Sequence, residues 1–103
     1  MTLEVSTARN GSTLQVSLSG ELDAHTSSIV AEAVNPSLSN ADLTMFVFDA
    51  RDLVFMDSSG ISELLRIQRA LAERHATFQL DGAGPTVRRV LEITGLVEIL
   101  GVQ

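Results

Sequence analysis

Met45 to His75 reads MFVFDARDLVFMDSSGISELLRIQRALAERH. Two short apolar runs, Met45 to Phe48 and Leu53 to Met56, lead into a polar corner, Asp57-Ser58-Ser59-Gly60. Short unbroken apolar runs rich in β-forming residues fit a strand covered on both faces. Beyond the corner the period changes. Ile61, Leu64, Leu65, Gln68, Leu71 and Ala72 recur at spacings of three and four, an apolar helical stripe interrupted only by Gln68. The opposite stripe carries Ser62, Glu63, Arg66, Arg69 and Glu73. The stretch therefore predicts strand, corner, helix.

Aspartate and serine suit the start of a helix, because their side-chain oxygens accept hydrogen bonds from the first backbone N–H groups, which lack partners within the helix. Ser58 is expected at a helix N-terminus and at the surface. The partial positive charge at such an end makes a phosphoryl group on Ser58 tolerable to the fold. A partner docked on the same corner would meet about two added negative charges beside Asp57, so binding rather than folding would respond.

Outward toward the N-terminus, Leu3 and Val5 alternate with polar residues, and so do Leu14, Val16 and Leu18. Two half-buried strands joined by a tight turn at Asn10-Gly11 make a hairpin. Gly20 to Asp23 ends the second strand, and Asp23, Thr26 or Ser27 caps a helix carrying Ile29, Val30, Ala33 and Val34. Pro36 disfavours helical geometry at Asn35, so that helix is expected to end or break there. Toward the C-terminus, Thr77 to Leu80 reads as a strand, Asp81 to Gly84 as a loop and Pro85 as the first turn of a helix bearing Val87, Val90, Leu91 and Thr94. Gly95 suits the left-handed residue that closes it, and Val97 to Val102 can add a last short strand. The order β-β-α-β-α-β-α, with room for a final β, predicts an α/β domain over residues 1–103, a small mixed sheet with helices packed on it.

Three motifs, GELD at Gly20 to Asp23, FMDSSG at Phe55 to Gly60 and ITGL at Ile93 to Leu96, together resemble the STAS domain, and more narrowly the bacterial anti-sigma factor antagonists. The resemblance spans nearly the whole chain and implies the same architecture. It also implies a role: an anti-anti-sigma protein that binds an anti-sigma factor and so frees a sigma factor for transcription. In that family the serine directly after the aspartate, here Ser58, is phosphorylated by the anti-sigma factor itself, a serine kinase that holds the ATP. A serine phosphatase reverses the modification. Asp23 and Asp49 are implied to lie in loops near that serine, where an acidic rim can shape recognition, although capping by Asp23 and a strand-end turn at Asp49 explain them equally well. The expected partner surface comprises Asp23, Asp57, Ser58, Ser59, Gly60, Ile61, Ser62 and Arg66. Ser62 departs from the glycine common in the family, a change expected to affect partner choice. The alternative is a constitutive STAS subunit of a lipid-transport ABC system or of a stress-signalling scaffold.

Composition narrows the remaining possibilities. A chain of 103 residues with 45% hydrophobic side chains and positive mean hydropathy builds one core. Seven basic against thirteen acidic residues, net charge −6, with the arginines scattered, argue against nucleic acid and favour a basic partner surface. No cysteine is present, and no apolar run approaches the ~18 residues of a membrane span. A cytoplasmic protein without membrane insertion, metal or cofactor is the expectation, with self-association left open. A phosphoacceptor aspartate at Asp49 would need an acidic pair after the first strand and a lysine after the last, and the chain has no lysine. A serine hydrolase would need Gly-x-Ser-x-Gly and a histidine in reach. Gly82-Ala83-Gly84 is too short for a phosphate loop. His25 reads as an exposed residue beside a helix start, and His75 as a helix C-terminal residue favoured by the macrodipole. No catalytic residue is expected.

Overall fold

The computed structural model describes residues 2–103. Its elements are β1 (Leu3–Asn10), β2 (Thr13–Leu22), α1 (Ser27–Leu38), β3 (Met45–Met56), α2 (Ser58–Glu73), β4 (Thr77–Asp81) and α3 (Pro85–Ile93). The four strands form one sheet in the order β1-β2-β3-β4. The hairpin pair β1/β2 is antiparallel, and β2, β3 and β4 run parallel. Parallel neighbours need a crossover, and α1 and α2 supply the two that this sheet requires. Both helices consequently start at the same end of the sheet, where β2 and β3 finish.

Period two assigns the core face. Val16 and Leu18 of β2, Phe46, Phe48 and Ala50 of β3, and Leu80 of β4 are buried against Val30 and Val34 of α1 and Leu64, Ile67 and Leu71 of α2. Phe48 and Phe78 stack with ring centroids 4.7 Å apart. Burial of side chains this size stabilises by about 1.5–3 kcal/mol each. The central buried residue of α2 is Ile67, absent from the expected stripe, whereas Ala72 is exposed. The apolar stripe is rotated relative to the expected one, because the contact with α1 and the sheet selects the larger side chain.

Several expectations are corrected. The two apolar runs of Met45 to Met56 belong, as the element order requires, to one twelve-residue strand. It is covered on one face only: Phe46 and Phe48 are buried, while Met45 and Val47 are half-buried on a polar face with Gln15, Ser17, Asp49, Gln79 and Asp81. The strand stays continuous through Ala50-Arg51-Asp52 because it takes two bulges against β2, one between Ser17 and Ser19 and one between Gly20 and Glu21. The hairpin turn is centred on Gly11-Ser12, since Asn10 pairs with Thr13 and Gly11 has φ 62°. Helix α1 runs through Pro36 to Leu38. Proline in the last turn forfeits a single helical hydrogen bond, and two arginines, one in α2 and one at its C-cap, hold the final residues. Arg66 Nη2 donates to Asn35 Oδ1 at 2.7 Å, and Arg74 Nε donates to the Leu38 carbonyl at 2.7 Å.

The expected last strand is reduced to one bridge between Leu80 and Val102. Turn hydrogen bonds such as Leu100 N–H to the Leu96 carbonyl and Val102 N–H to the Val97 carbonyl take the backbone groups a longer ladder would use. His75 lies beyond α2 with φ 60°, as the left-handed residue that turns the chain toward β4, and not inside the helix.

Candidate functional site

In a sheet of parallel strands, the carboxyl ends of the strands and the helix N-termini that follow them form the usual recognition edge. Here that edge is made by the ends of β2 and β3. The chain leaves β3 at Met56, and Asp57 N–H donates to the Leu22 carbonyl at 3.2 Å, which ties the two strand ends together. Asp57 is extended (φ −110°, ψ −171°) and is the N-cap of α2. Its Oδ1 accepts from Ser59 N–H at 2.9 Å and from Gly60 N–H at 3.1 Å. Such a cap contributes about 1 kcal/mol.

Ser58 is the first helical residue and its side chain is exposed. Asp57 has already taken the N–H groups of the next two residues, so they are not free to bind whatever Ser58 carries. Gly60 is buried where α2 crosses the end of β2. A Cβ there would stand 2.7 Å from both Leu22 Cγ and the Leu22 carbonyl oxygen and 2.9 Å from Met56 Cγ. A hydrogen in place of a side chain is what lets the helix start this close to the strands.

Asp23, at the matching position after β2, is buried. Its Oδ1 accepts from His25 N–H at 2.9 Å, Thr26 N–H at 3.1 Å and the Thr26 hydroxyl at 3.2 Å. The Thr26 hydroxyl also reaches the Glu21 carbonyl at 2.7 Å. Burial pushes the Asp23 carboxyl up, but the hydrogen bonds from the His25 backbone and from the Thr26 hydroxyl and N–H, helped by the His25 charge, outweigh it and leave the pKa below the ordinary 3.8. Asp23 thus organises the turn before α1. Thr26 is the N-cap of that helix and makes no side-chain cap bond.

Of the other expected site residues, Ser62 and Arg66 are exposed along α2 below Ser58, while Ile61 is buried. Arg66 is bidentate with Glu63, Nε to Oε1 at 3.0 Å and Nη2 to Oε2 at 2.7 Å, and that hydrogen-bonded pair raises its pKa despite partial burial. Asp49 is not near the serine. It sits mid-strand between Ser17 and Asp81, roughly 20 Å back along β3 from Met56. There Arg51 holds it, Nη2 to Oδ2 at 2.7 Å, and this pairing outweighs burial to lower the Asp49 pKa. Val54 and Phe55, just before the corner, are exposed. Alternation in an apolar run conveys no sign of a bulge, so the sequence did not mark them.

A family model described as "Mlab, STAS domain" matches residues 5–101. The chain belongs to the STAS domain family. The anti-sigma F factor antagonist of Paenibacillus polymyxa is 30% identical over 100 residues, which cover 97% of this chain and 86% of that one. Among solved structures, the unphosphorylated form of the anti-sigma factor antagonist SpoIIAA matches with a TM-score of 0.83 at 26% identity, over 97% of this chain and 88% of that one. The phosphorylated form of SpoIIAA from Bacillus shares the fold, with a TM-score of 0.75 at 24% identity over 99% and 91% of the two chains. The STAS sheet with three helices is therefore the architecture of this chain, and the relatives named above are anti-sigma factor antagonists. Among the described residues no helix is long and apolar enough to cross a membrane.

Proposed function

We propose that this protein is an anti-sigma factor antagonist whose binding is switched at Ser58. Unmodified, it binds an anti-sigma factor and releases the sigma factor. The anti-sigma factor, a serine kinase, holds ATP over the corner. The Ser58 hydroxyl oxygen attacks the γ-phosphorus, the bond to the β-phosphate oxygen breaks, ADP leaves and the hydroxyl proton passes to a base of the kinase. A serine phosphatase restores the hydroxyl.

The observation that carries this reading is the exposed Ser58 at the first position of a sixteen-residue helix whose Asp57 cap already occupies the Ser59 and Gly60 N–H groups. A phosphoryl group on Ser58 finds those donors taken, so it stands out toward a partner instead of folding back. It adds about two negative charges next to Asp57, in the middle of the contact. A hundredfold loss of affinity corresponds to about 2.7 kcal/mol, well within what such a group imposes. SpoIIAA occurs in unphosphorylated and phosphorylated forms, which supports the same cycle here. Asp23 serves the site by fixing the neighbouring turn, and Gly60 and Ile61 serve it by seating α2. Ser59, Ser62 and Arg66 extend the surface around Ser58.

The test is affinity capture from host lysate with wild type and Ser58→Asp side by side. Wild type is expected to retain an ATP-binding serine kinase that Ser58→Asp loses about a hundredfold, while both keep the same helical circular dichroism. Recovery of the same transport or scaffold proteins by both, with no kinase, overturns the reading.

A further inference from the structure

Two large apolar side chains that precede Ser58 by three and four residues are on the outside. Val54 is 64% exposed and Phe55 40%, in a strand whose other apolar residues are mostly buried. The cause is the second bulge of β3: Gly20 pairs with Leu53 and Glu21 with Phe55, so Val54 is an extra residue with no partner on β2. Bulges of this kind re-aim side chains beside functional sites and are not needed to close a four-stranded sheet. Val54 also lines a groove of about 260 Å³ between β3 and the start of α3, together with Arg51, Leu53, Gly84, Pro85, Thr86 and Val87. That volume holds one or two apolar side chains. On the β2 side, Phe55 pairs with Glu21, which is half-buried.

We propose that the Val54–Phe55 bulge and the groove beside it form the apolar half of the docking surface for the kinase that acts at Ser58. The occupant is a segment of that kinase carrying an apolar side chain for the groove. The proposal rests on the Ser58 switch. Reach selects this occupant: Val54 lies four residues before Ser58, at most about 14 Å of extended chain. A specific interface covers about 800 Å² on each partner, a patch wide enough that a surface placing ATP over Ser58 also covers the bulge. Charge agrees, since a chain of net charge −6 favours a basic neighbour. Phosphorylation and docking are then separable. The phosphoryl group repels at Ser58, while the bulge supplies attraction through surface that the modification leaves unchanged.

The experiment measures, with the kinase that wild type binds and Ser58→Asp releases, both equilibrium affinity and steady-state phosphorylation of Ser58. The full chain is used as wild type, Val54→Asp, Phe55→Ala and Ile93→Asp. Ile93 is the most exposed of the large apolar residues at 73% and lies at the far end of α3, so it controls for general loss of surface apolarity. Val54→Asp is expected to weaken binding at least thirtyfold and Phe55→Ala about tenfold, with Ile93→Asp unchanged. KM for the protein substrate should rise by the same factors with kcat preserved, which a merely destabilised variant would not give. Val54→Thr keeps the β-branched shape and should sit between wild type and Val54→Asp. Wild-type affinity in both Val54→Asp and Phe55→Ala, with Ser58→Asp still released, overturns the docking surface and leaves the switch standing. A kinase that Ser58→Asp binds as tightly as wild type overturns the switch, and the docking proposal fails with it.

Discussion

Two corners of this molecule are built on the same plan and do different work. After β2 the chain passes from buried Leu22 to Asp23 and then to α1; after β3 it passes from buried Met56 to Asp57 and then to α2. In the first corner the carboxylate is buried and closes on its own turn, and the helix begins after three intervening residues without a side-chain cap. In the second the carboxylate caps the helix directly, and the next residue, Ser58, is left in solvent. The difference is a three-residue spacer. Ala24-His25-Thr26 lets Asp23 turn inward and lock, whereas Asp57 has no spacer and must cap outward, which puts a hydroxyl at the surface on a rigid base. A fixed corner beside a modifiable one is how a small domain can be switched without unfolding.

Gly60 is where the two corners touch, and changing it should have the largest effect on the frame. Gly60→Ala places a Cβ 2.7 Å from Leu22 and should cost about 2 kcal/mol in urea unfolding through overpacking. Because it separates α2 from the end of β2, it should also slow Ser58 phosphorylation by the partner kinase.

Asp57→Ala tests the cap alone and should cost about 1 kcal/mol by the same denaturation assay. It also frees the Ser59 and Gly60 N–H groups. A phosphoryl group on Ser58 can then fold back onto them, so phosphorylation should discriminate binding less sharply in this variant than in wild type.

The smallest change expected is in acid. Asp23 has a folded pKa below the ordinary value, so the stability it contributes is present above about pH 4 and is lost as pH falls through the folded value. Wild type should therefore be more stable than Asp23→Asn at pH 7, with the gap between their thermal midpoints narrowing toward pH 3. A gap that is constant with pH would mean that the Asp23 hydrogen bonds do not distinguish carboxylate from acid.

Much of the frame was legible because it rests on local chemistry. The Asp57 cap, the surface position of Ser58, the α3 start at Pro85 and the left-handed Gly95, φ 73°, each follow from what one or two residues prefer. The errors fall where partners distant in sequence decide. Met45 and Val47 read as doubly buried because four apolar residues in a row give no clue to which face stays open. Helix α1 passes Pro36 because Arg66 and Arg74 reach across from residues 31 and 36 positions away. Asp49 was expected beside the serine, but continuous pairing of β3 with β2 and β4 places it mid-strand with Arg51.

The candidate site divides in the same way. The sequence by itself determined the family and the order of elements, and it pointed to Ser58 as the residue of the proposed switch, because motif and capping chemistry are read along the chain. Only the tertiary structure decided that Asp23 is an internal brace and that Gly60 is the contact between the corners. The same holds for Val54 and Phe55, which face outward: a bulge is a mismatch in count between two strands, and it exists only once they are paired.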